Sequence, residues 1–326
     1  MSYTNGLDNP ELYFQAKLYT GNSGTNAITF DGSENMSPDL VWLKRRDSGS
    51  NNHRLCDSVR GVNKQLYSSS TGTEGTSSGV VQSFDSNGFT LNTSDSSVNV
   101  GSYVCWNWKK QAGIFDVVSY TGNGSGRTIS HNLNSVPSFM IVKNRDAARS
   151  WNVYFGDPTD YIYLNDTAAA ADYNEIWNDT APTASVFSVG TDNGVNQSSE
   201  KYIAYLFGNK QGVSSAGTYV GNGSSSGAYI HLGFSASCFI VKRTDTTNDW
   251  QIHDNKRDTS NGVTQRLNPN LSSGESTTGA FYDFTSTGVK CRNTDFSMNA
   301  SGGTYIYLAF AENPFVTSSG TPTTAR

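Results

Sequence analysis

Long apolar runs are missing from this sequence of 326 residues, and charged residues are scarce. No stretch approaches the roughly 18 apolar residues that a helix needs to cross a bilayer, so we expect no membrane insertion. The first residues lack the basic segment and the apolar stretch of a signal peptide, so we expect no export by that route. Charged side chains make up 16% of the chain and the formal net charge is −5, a weak acidic balance that predicts no nucleic-acid partner.

Cysteine is also scarce. The chain has four cysteines and no Cys-x-x-Cys pair, which argues against a zinc knuckle and against a dense disulfide framework. We expect all of them to be free thiols that pack as small apolar side chains: Cys56, Cys105, Cys238 and Cys291. Aromatic residues, by contrast, make up 12% of the chain, which is too many for a disordered protein.

Three strings recur in the same order along the chain, which predicts a triplicated module. The first is a Tyr-x-Gly-Asn turn, the second an apolar run ending in lysine, and the third a Val-Asn or Met-Asn pair before the last strand. Their positions are Tyr19–Asn22, Tyr120–Asn123 and Tyr219–Asn222; Lys44, Lys143 and Lys242; and Asn99, Asn196 and Asn299. The predicted modules are 1–111, 112–211 and 212–315, followed by a flexible tail, 316–326.

Within each module the pattern predicts β-strands. Phe14, Ala16 and Leu18 alternate with polar residues, as in a strand with one buried face. Short strands divided by Gly, Asn and Ser clusters predict an all-β fold of three tandem antiparallel β-sandwich or jelly-roll-like modules of about 100 residues. Asn87-Gly88 predicts a tight hairpin turn, and only the stretch 168–177 has room for a short helical turn.

The titratable residues do not predict a reaction centre. His131 and His231 align with each other and with Phe30, so we interpret that position as a structural, half-buried planar side chain. The carboxylate pairs, Asp157 with Asp160 and Glu175 with Asp179, could serve a glycosidase, but turn residues that bond nearby amides are the favoured interpretation. We predict no catalytic residue, no cofactor-binding residue, no cofactor and no metal ligand, and hence no enzyme.

One aromatic residue is a candidate for binding. Trp177 has polar neighbours in the sequence and no counterpart in the other two modules. It could stack on a sugar ring or fill a neighbouring subunit, and burial in the core is an equally favoured alternative.

Several strings resemble a repeat family found in structural proteins of tailed bacteriophages, mostly marine phages and cyanophages. They are Asp57–Gly61 (DSVRG), the Tyr-Thr-Gly-Asn turn, Pro38–Lys44 (PDLVWLK), and Asn99 followed by Tyr103–Lys109 (YVCWNWK). The second module carries a related form. The third departs most, because Asn255–Asp258 (NKRD) replaces the Asp-Ser-Val-Arg-Gly string. The resemblance supplies no catalytic residue.

The resemblance implies a virion component that is assembled in the host cytoplasm. Its leading version is a tail-associated fibre or adhesin, with the first module docked to the particle and contact with a host-surface glycan or receptor. The alternative is a capsid decoration or cement protein on the phage head, and a third version is a glycan-cleaving tailspike. Other virion proteins and further copies of this chain, in a homo-oligomer, are the expected partners.

Overall fold

The computed structural model describes residues 8–317, 319, 320 and 322. Strands account for 45% of the chain and helix for 2%, and all strand pairs are antiparallel, so the prediction of an all-β fold is confirmed. Part of the predicted flexible tail lies outside the described residues. Within the described part of the tail, Val316 forms an isolated bridge with Pro322.

The chain is described below as three segments, defined by strands β1–β9, β10–β17 and β18–β25. The first segment opens with a 3-10 turn, Pro10–Leu12, and contains β1 Phe14–Thr20, β2 Thr25–Thr29, β3 Leu40–Arg45, β4 Arg54–Asp57, β5 Lys64–Gln65, β6 Gly75–Thr76, β7 Ser83–Asp85, β8 Gly88–Asn92 and β9 Ser102–Trp108. The second contains β10 Phe115–Thr121, β11 Arg127–Ser130, β12 Pro137–Asn144, β13 Asn152–Tyr154, β14 Asp160–Tyr163, β15 Ala171–Asp172, α1 Asn174–Trp177, β16 Val186–Val189 and β17 Lys201–Gly208. The third contains β18 Ser214–Val220, β19 Tyr229–His231, β20 Phe234–Arg243, β21 Gln251–Asp254, β22 Val263–Arg266, β23 Ser276–Thr285, β24 Gly288–Cys291 and β25 Thr304–Pro314.

Each segment has one large sheet with the same strand order. When the strands of a segment are counted in chain order, the first pairs with the last, the last with the third and the third with the fourth. The three sheets are β1-β9-β3-β4, β10-β17-β12-β13 and β18-β25-β20-β21. The second segment extends its sheet with β14 and β15. A smaller sheet accompanies each large one: β2-β8-β7, β11-β16 and β19-β24-β23-β22.

Two local predictions need adjustment. The hairpin between β7 and β8 exists, but Asp85 pairs with Gly88, so Ser86 and Asn87 form the turn and Gly88 already belongs to β8. Gly88 has φ +119°, and a Cβ there would lie 1.9 Å from the carbonyl oxygen of Ile28, so glycine is required at the first residue of β8, directly after the two-residue turn. The helical turn is real but short, since α1 spans four residues.

The recurring strings form a clamp between the first and last strands of each segment. In the first, buried Asn99 donates from Nδ2 to the carbonyls of Gly24 and Thr93, both at 2.8 Å, and its Oδ1 accepts from the backbone N–H of Asn22. A Cβ at Gly21 would lie 2.1 Å from the Asn99 carbonyl carbon, which explains the glycine of the string. Equivalent bonds are made by Asn196 and Asn299.

Every large sheet is buried on both faces, which explains the nearly continuous apolar runs that precede the recurring lysines. One face of each sheet packs with its own smaller sheet, giving three separate clusters. The other face contributes to one central cluster that draws residues from all three large sheets. Burial from two sides leaves little room for polar residues within these strands.

Three aromatic rings from the last strands meet at the middle of the central cluster. Trp108, Phe207 and Phe310 pair in register with Leu40, Phe139 and Cys238, respectively, so they occupy equivalent positions in β9, β17 and β25. The ring centroids lie 6.0 Å apart for Trp108 and Phe207, 5.4 Å for Trp108 and Phe310, and 5.8 Å for Phe207 and Phe310. These separations suit edge-to-face contacts. The three segments therefore converge on a shared aromatic triangle.

A buried lysine bridges each pair of neighbouring segments. Lys143 of the second segment donates to the carbonyl of Thr71 in the first, at 3.2 Å, and is fully buried. The equivalent bonds, both at 3.1 Å, run from Lys44 to Ser272 and from Lys242 to Thr167. Burial lowers the pKa of all three lysines to about 8, because the ammonium group loses its water. The first segment thus contacts the third as well as the second.

Buried ion pairs reinforce the contact between the first and second segments. Asp57 and Arg60 pair within the first segment, and Asp57 accepts a 2.7 Å hydrogen bond from the Tyr205 hydroxyl of the second. Arg60 also reaches Glu74, whose carboxylate binds Arg145 of the second segment at 2.8 Å. The hydrogen bonds and ion pairs that each buried charge makes offset the free-energy cost of removing it from water.

The contact between the third and first segments repeats that arrangement. Asp254 pairs with Arg257 and accepts a 3.1 Å bond from the Trp106 indole of the first segment. Glu275 binds Arg257 and, at 2.8 Å, Arg46 of the first segment. The arginines at the ends of these strands therefore serve internal contacts.

The contact between the second and third segments is different in chemistry. Phe155, directly after β13, takes the position that Asp57 and Asp254 hold at the ends of β4 and β21, and it packs against the central cluster. The Trp250 indole donates to the Tyr163 carbonyl at 2.9 Å, and the Ala170 N–H donates to the Thr244 carbonyl at 2.9 Å. An apolar side chain and backbone bonds replace the ion pairs here.

We expect Phe207→Ala to destabilise the whole chain by about 3–5 kcal/mol, because it removes one corner of the aromatic triangle and leaves a cavity. Chemical denaturation followed by tryptophan fluorescence and by far-UV circular dichroism measures the effect. Both signals are expected to shift together.

Phe296→Ala is the matched control, because Phe296 is 53% exposed and contacts mainly the Arg243 guanidinium. Its cost is expected to be about 1 kcal/mol or less. Equal effects of the two substitutions would contradict the role assigned to the triangle.

Candidate functional site

The histidines occupy structural positions rather than a common site. His53 is fully buried and accepts a 2.9 Å bond at Nδ1 from the Trp42 indole. His253 lies 3.0 Å from the Gln265 carbonyl and 3.1 Å from the Gln251 amide oxygen. Burial, and then the charge of Arg257, lowers the pKa of His253 to about 3. The pKa of His53 is lowered well below its usual value by burial and by Lys44 and Arg257. Both imidazoles are neutral near pH 7.

The predicted equivalence of His131 and His231 is wrong by one residue. His231 pairs with Gly288, as Thr29 pairs with Gly88, and its side chain is exposed. Leu232 follows it and is 8% exposed, so leucine takes the buried position. Because successive side chains of a strand face opposite sides, a shift of one residue exchanges inside for outside. Phe30 and His131 are buried, more deeply than the half-buried position that was expected.

The cysteines are free and buried, as predicted: Cys56, Cys105, Cys238 and Cys291. Burial raises the pKa of the Cys56, Cys105 and Cys291 thiols to about 12. Such thiols are protonated near pH 7 and are weak nucleophiles. In the part of the chain that the structure describes, no group of three or more His, Cys, Asp or Glu side chains is placed to hold a metal ion.

Trp177 lies in the core and does not present a surface for stacking. It is 1% exposed and meets Tyr154 edge to face at 5.9 Å. Of the two alternatives for this residue, the structure favours burial, because α1 turns the indole towards the second segment's own cluster. The nearby acids serve turns: Asp157 accepts from the N–H and hydroxyl of Thr159, and Glu175 accepts from the Tyr173 hydroxyl.

An open cleft of about 320 Å³ lies where the first and second segments meet. Asn152 on β13 and Tyr163 on β14 pair across the sheet and form one side. The loop after β12, the loop before β17 and the first segment complete the lining. The lining residues include Thr71, Arg149, Asn152, Tyr163, Asp192 and Gly194.

Asn152, which lines the cleft, has a buried amide oxygen without a hydrogen-bond partner. Asn152 is 1% exposed, and its Oδ1 makes no hydrogen bond within the protein. Asp192 lies beside it, with Oδ1 accepting from the Gly194 N–H at 2.6 Å. A carboxylate, a guanidinium, an amide and a phenol therefore border one small space, which is suited to binding a polar ligand.

Tyrosines continue from the cleft along the outer strands of the second segment. Tyr163 and Tyr161 lie 5.0 Å apart between ring centroids, and Tyr161 and Tyr173 lie 6.4 Å apart. Tyr173 is 40% exposed. Burial raises the pKa of Tyr163, which therefore keeps its hydroxyl proton near neutral pH. β14 and β15, which carry part of this surface, extend only the second segment's large sheet.

Sequence reasoning placed no residue in this cleft, although a signal was present. The residue before the recurring Val-Asn or Met-Asn pair is Ser97 in the first segment and Ser297 in the third, but Gly194 in the second. Glycine in place of serine marks the position at which the second segment differs from the other two.

One known protein family matches nearly the whole chain. The family described as a domain of unknown function, DUF7483, matches residues 9–314. The chain belongs to the DUF7483 family. The match includes every strand from β1 to β25 and all of the cleft residues, so the DUF7483 domain spans all three segments.

No curated protein matches this DUF7483 chain. Of its described residues, none belongs to a helix long and apolar enough to cross a membrane.

We expect the stability of the DUF7483 domain to fall as the pH drops from 6.5 to 4. The unfolded chain takes up a proton on His253 near pH 6.5, whereas the folded chain resists protonation until about pH 3, so acid favours unfolding. This histidine alone contributes roughly 3 kcal/mol over that interval.

Urea denaturation of the wild type and of His253→Gln at several pH values measures this contribution. The substitution is expected to flatten the slope of unfolding free energy against pH. His231→Gln, at an exposed histidine, is the control and should leave the slope as it is. Identical slopes for the wild type and His253→Gln would refute the assignment.

Proposed function

We propose that this DUF7483 domain is a non-enzymatic structural protein of a tailed-bacteriophage virion, attached to the tail as a fibre- or adhesin-like component. The observation that carries the structural role is the burial of all three large sheets on both faces around one central cluster. A molecule built in this way is rigid, because its segments cannot move apart without exposing that cluster. The assignment to a phage particle is supported by the resemblance of the recurring strings.

The absence of a catalytic role is supported by how the titratable groups are used. The buried carboxylates Asp57 and Asp254 bind arginines, and the buried lysines bind backbone carbonyls. His53 and His253 are neutral and hydrogen-bonded to neighbouring side chains or backbone. These groups hold the fold together, whereas a general acid or base needs access to a substrate.

The three-module organisation is part of the same proposal. Three β-sandwich modules, 1–111, 112–211 and 212–315, are supported by the strand order that recurs in each segment and by the separate apolar cluster between each large sheet and its smaller partner. The modules are structural repeats that share a core, with the first docking to the particle.

We expect residues 112–211 expressed alone to fail to form a stable folded monomer. Isolation exposes the face of the large sheet that includes Phe115, Phe139 and Phe207, and it removes the partners of Tyr205 and Arg145. An exposed apolar sheet face promotes aggregation.

Size-exclusion chromatography and near-UV circular dichroism of the fragment, with the full chain as the control, measure this. The full chain is expected to be soluble and to unfold in one transition. A monomeric fragment with sharp near-UV signals would show that the modules fold independently and would overturn the shared-core argument.

Purified virions provide the test of the proposed function. Quantitative mass spectrometry is expected to find this protein in a few copies to some tens per particle, and labelled antibodies are expected to mark the tail. Tens to hundreds of copies on the head would instead identify a capsid decoration protein. Absence from the particle would overturn the virion assignment altogether. Release of reducing ends from host polysaccharide by the purified protein would overturn the non-enzymatic assignment.

A further inference from the structure

The cleft of the second segment exists because two side chains are shorter than their counterparts. Asn152 pairs with Val142 in register, as Gln251 pairs with Val241 and Arg54 with Leu43, so these three residues occupy equivalent positions. In the third segment Gln251 bonds to the hydroxyl of Ser297. In the first, Arg54 bonds to Ser97 and pairs with Asp95 at 3.0 Å.

In the second segment both partners are truncated. Asparagine replaces the longer side chain, and Gly194 replaces the serine. A Cβ at Gly194 would lie 2.5 Å from Asn152 Nδ2 and 2.8 Å from Asp192 Oδ1, so the missing side chain is what gives the amide and the carboxylate their room. The space that the other two segments fill with their own side chains is left open here.

The Asn152 amide presents a donor to this space. Its Nδ2 is the atom nearest to the missing Cβ of Gly194, whereas its Oδ1 is buried and has no hydrogen bond within the protein. A ligand oxygen in this space can therefore accept from Asn152 Nδ2.

The rest of the lining narrows the chemistry of the ligand. The Asp192 carboxylate can accept from hydroxyl groups, and the Arg149 guanidinium can donate to them. The two side chains carry opposite charges, so the cleft has no strong preference for an ion of either sign. Tyr163, followed by Tyr161 and Tyr173, offers aromatic surface for the apolar face of a sugar ring.

We propose that this cleft binds a saccharide through a pair of hydroxyl groups, with Asp192 as an acceptor, Asn152 and Arg149 as donors and Tyr163 in contact with the ring. This inference rests on the adhesin-like part of the proposed function, and it identifies a host-surface glycan as the class of ligand. It places one such site in each chain.

Saturation-transfer difference NMR tests the proposal on the full chain, with methyl glycosides of glucose, galactose, mannose and rhamnose as probes. At least one probe is expected to bind with a dissociation constant of about 1–10 mM, as befits a single sugar ring in an open cleft. No saturation transfer to any of these probes would overturn the proposal. Equal transfer to glycerol at the same concentration would also overturn it, because it would show general affinity for polyols.

The double substitution Asn152→Gln with Gly194→Ser transfers the self-filled arrangement of the third segment into the cleft. It is expected to weaken probe binding by at least about tenfold while the thermal unfolding midpoint stays close to that of the wild type. The single substitution Asn152→Ala removes the amide without filling the space and is also expected to weaken binding.

The reciprocal double substitution, Gln251→Asn with Ser297→Gly, is the matched control at a place without the tyrosine surface. It should leave binding unchanged. Wild-type affinity in the Asn152→Gln, Gly194→Ser variant would show that the probe binds elsewhere. The virion experiments above are independent of these, so a cleft without saccharide affinity on a protein found in the tail would refute the site and leave the structural role standing.

Discussion

The burial of each large sheet from two sides is the constraint on which this structure depends. A sheet with one solvent-exposed face can alternate apolar and polar residues, but the central strands here face apolar clusters on both sides. The aromatic triangle of Trp108, Phe207 and Phe310 is the point where the inner faces meet. Because each corner comes from the last strand of a different segment, no segment can complete the centre alone.

Polar contacts at the periphery fix how the segments are placed around that centre. Apolar packing tolerates small rotations, whereas the bonds from Lys44, Lys143 and Lys242 to carbonyls of neighbouring segments specify distance and direction. Two of the contacts add a buried ion pair and the remaining one uses Phe155. The segments thus differ in chemistry where they touch, while the strand order of their large sheets is the same.

Much of the local structure could be predicted from the recurring strings, because each string has one geometric task. The Asn of the Val-Asn pair accepts and donates at fixed places, and residue-by-residue comparison of the copies correctly put the four cysteines in buried positions. The comparison failed at His231, where a shift of one residue reverses the side chain. Separately, the Asn-Gly pattern placed the turn before β8 one residue too late. Strings of one or two residues do not determine strand register. The central cluster could not be predicted either, because a buried inner face and a buried outer face have the same apolar pattern. The cleft was missed because it is produced by side chains that are shorter than their counterparts. Asn152 and Gly194 leave open a space that longer side chains fill in the other two segments.

The packing of three covalently linked segments around one central cluster has a consequence for symmetry. An assembly of three identical separate subunits must repeat any substitution at three places, so a cavity opened at one interface opens at all of them. A single polypeptide with three segments of the same strand order is free of that requirement. It can fill this position in two segments with Arg54 and Gln251 and leave it open in the segment that carries Asn152. Any ligand that binds at that position then binds once per polypeptide, and the cleft distinguishes the second segment from the other two.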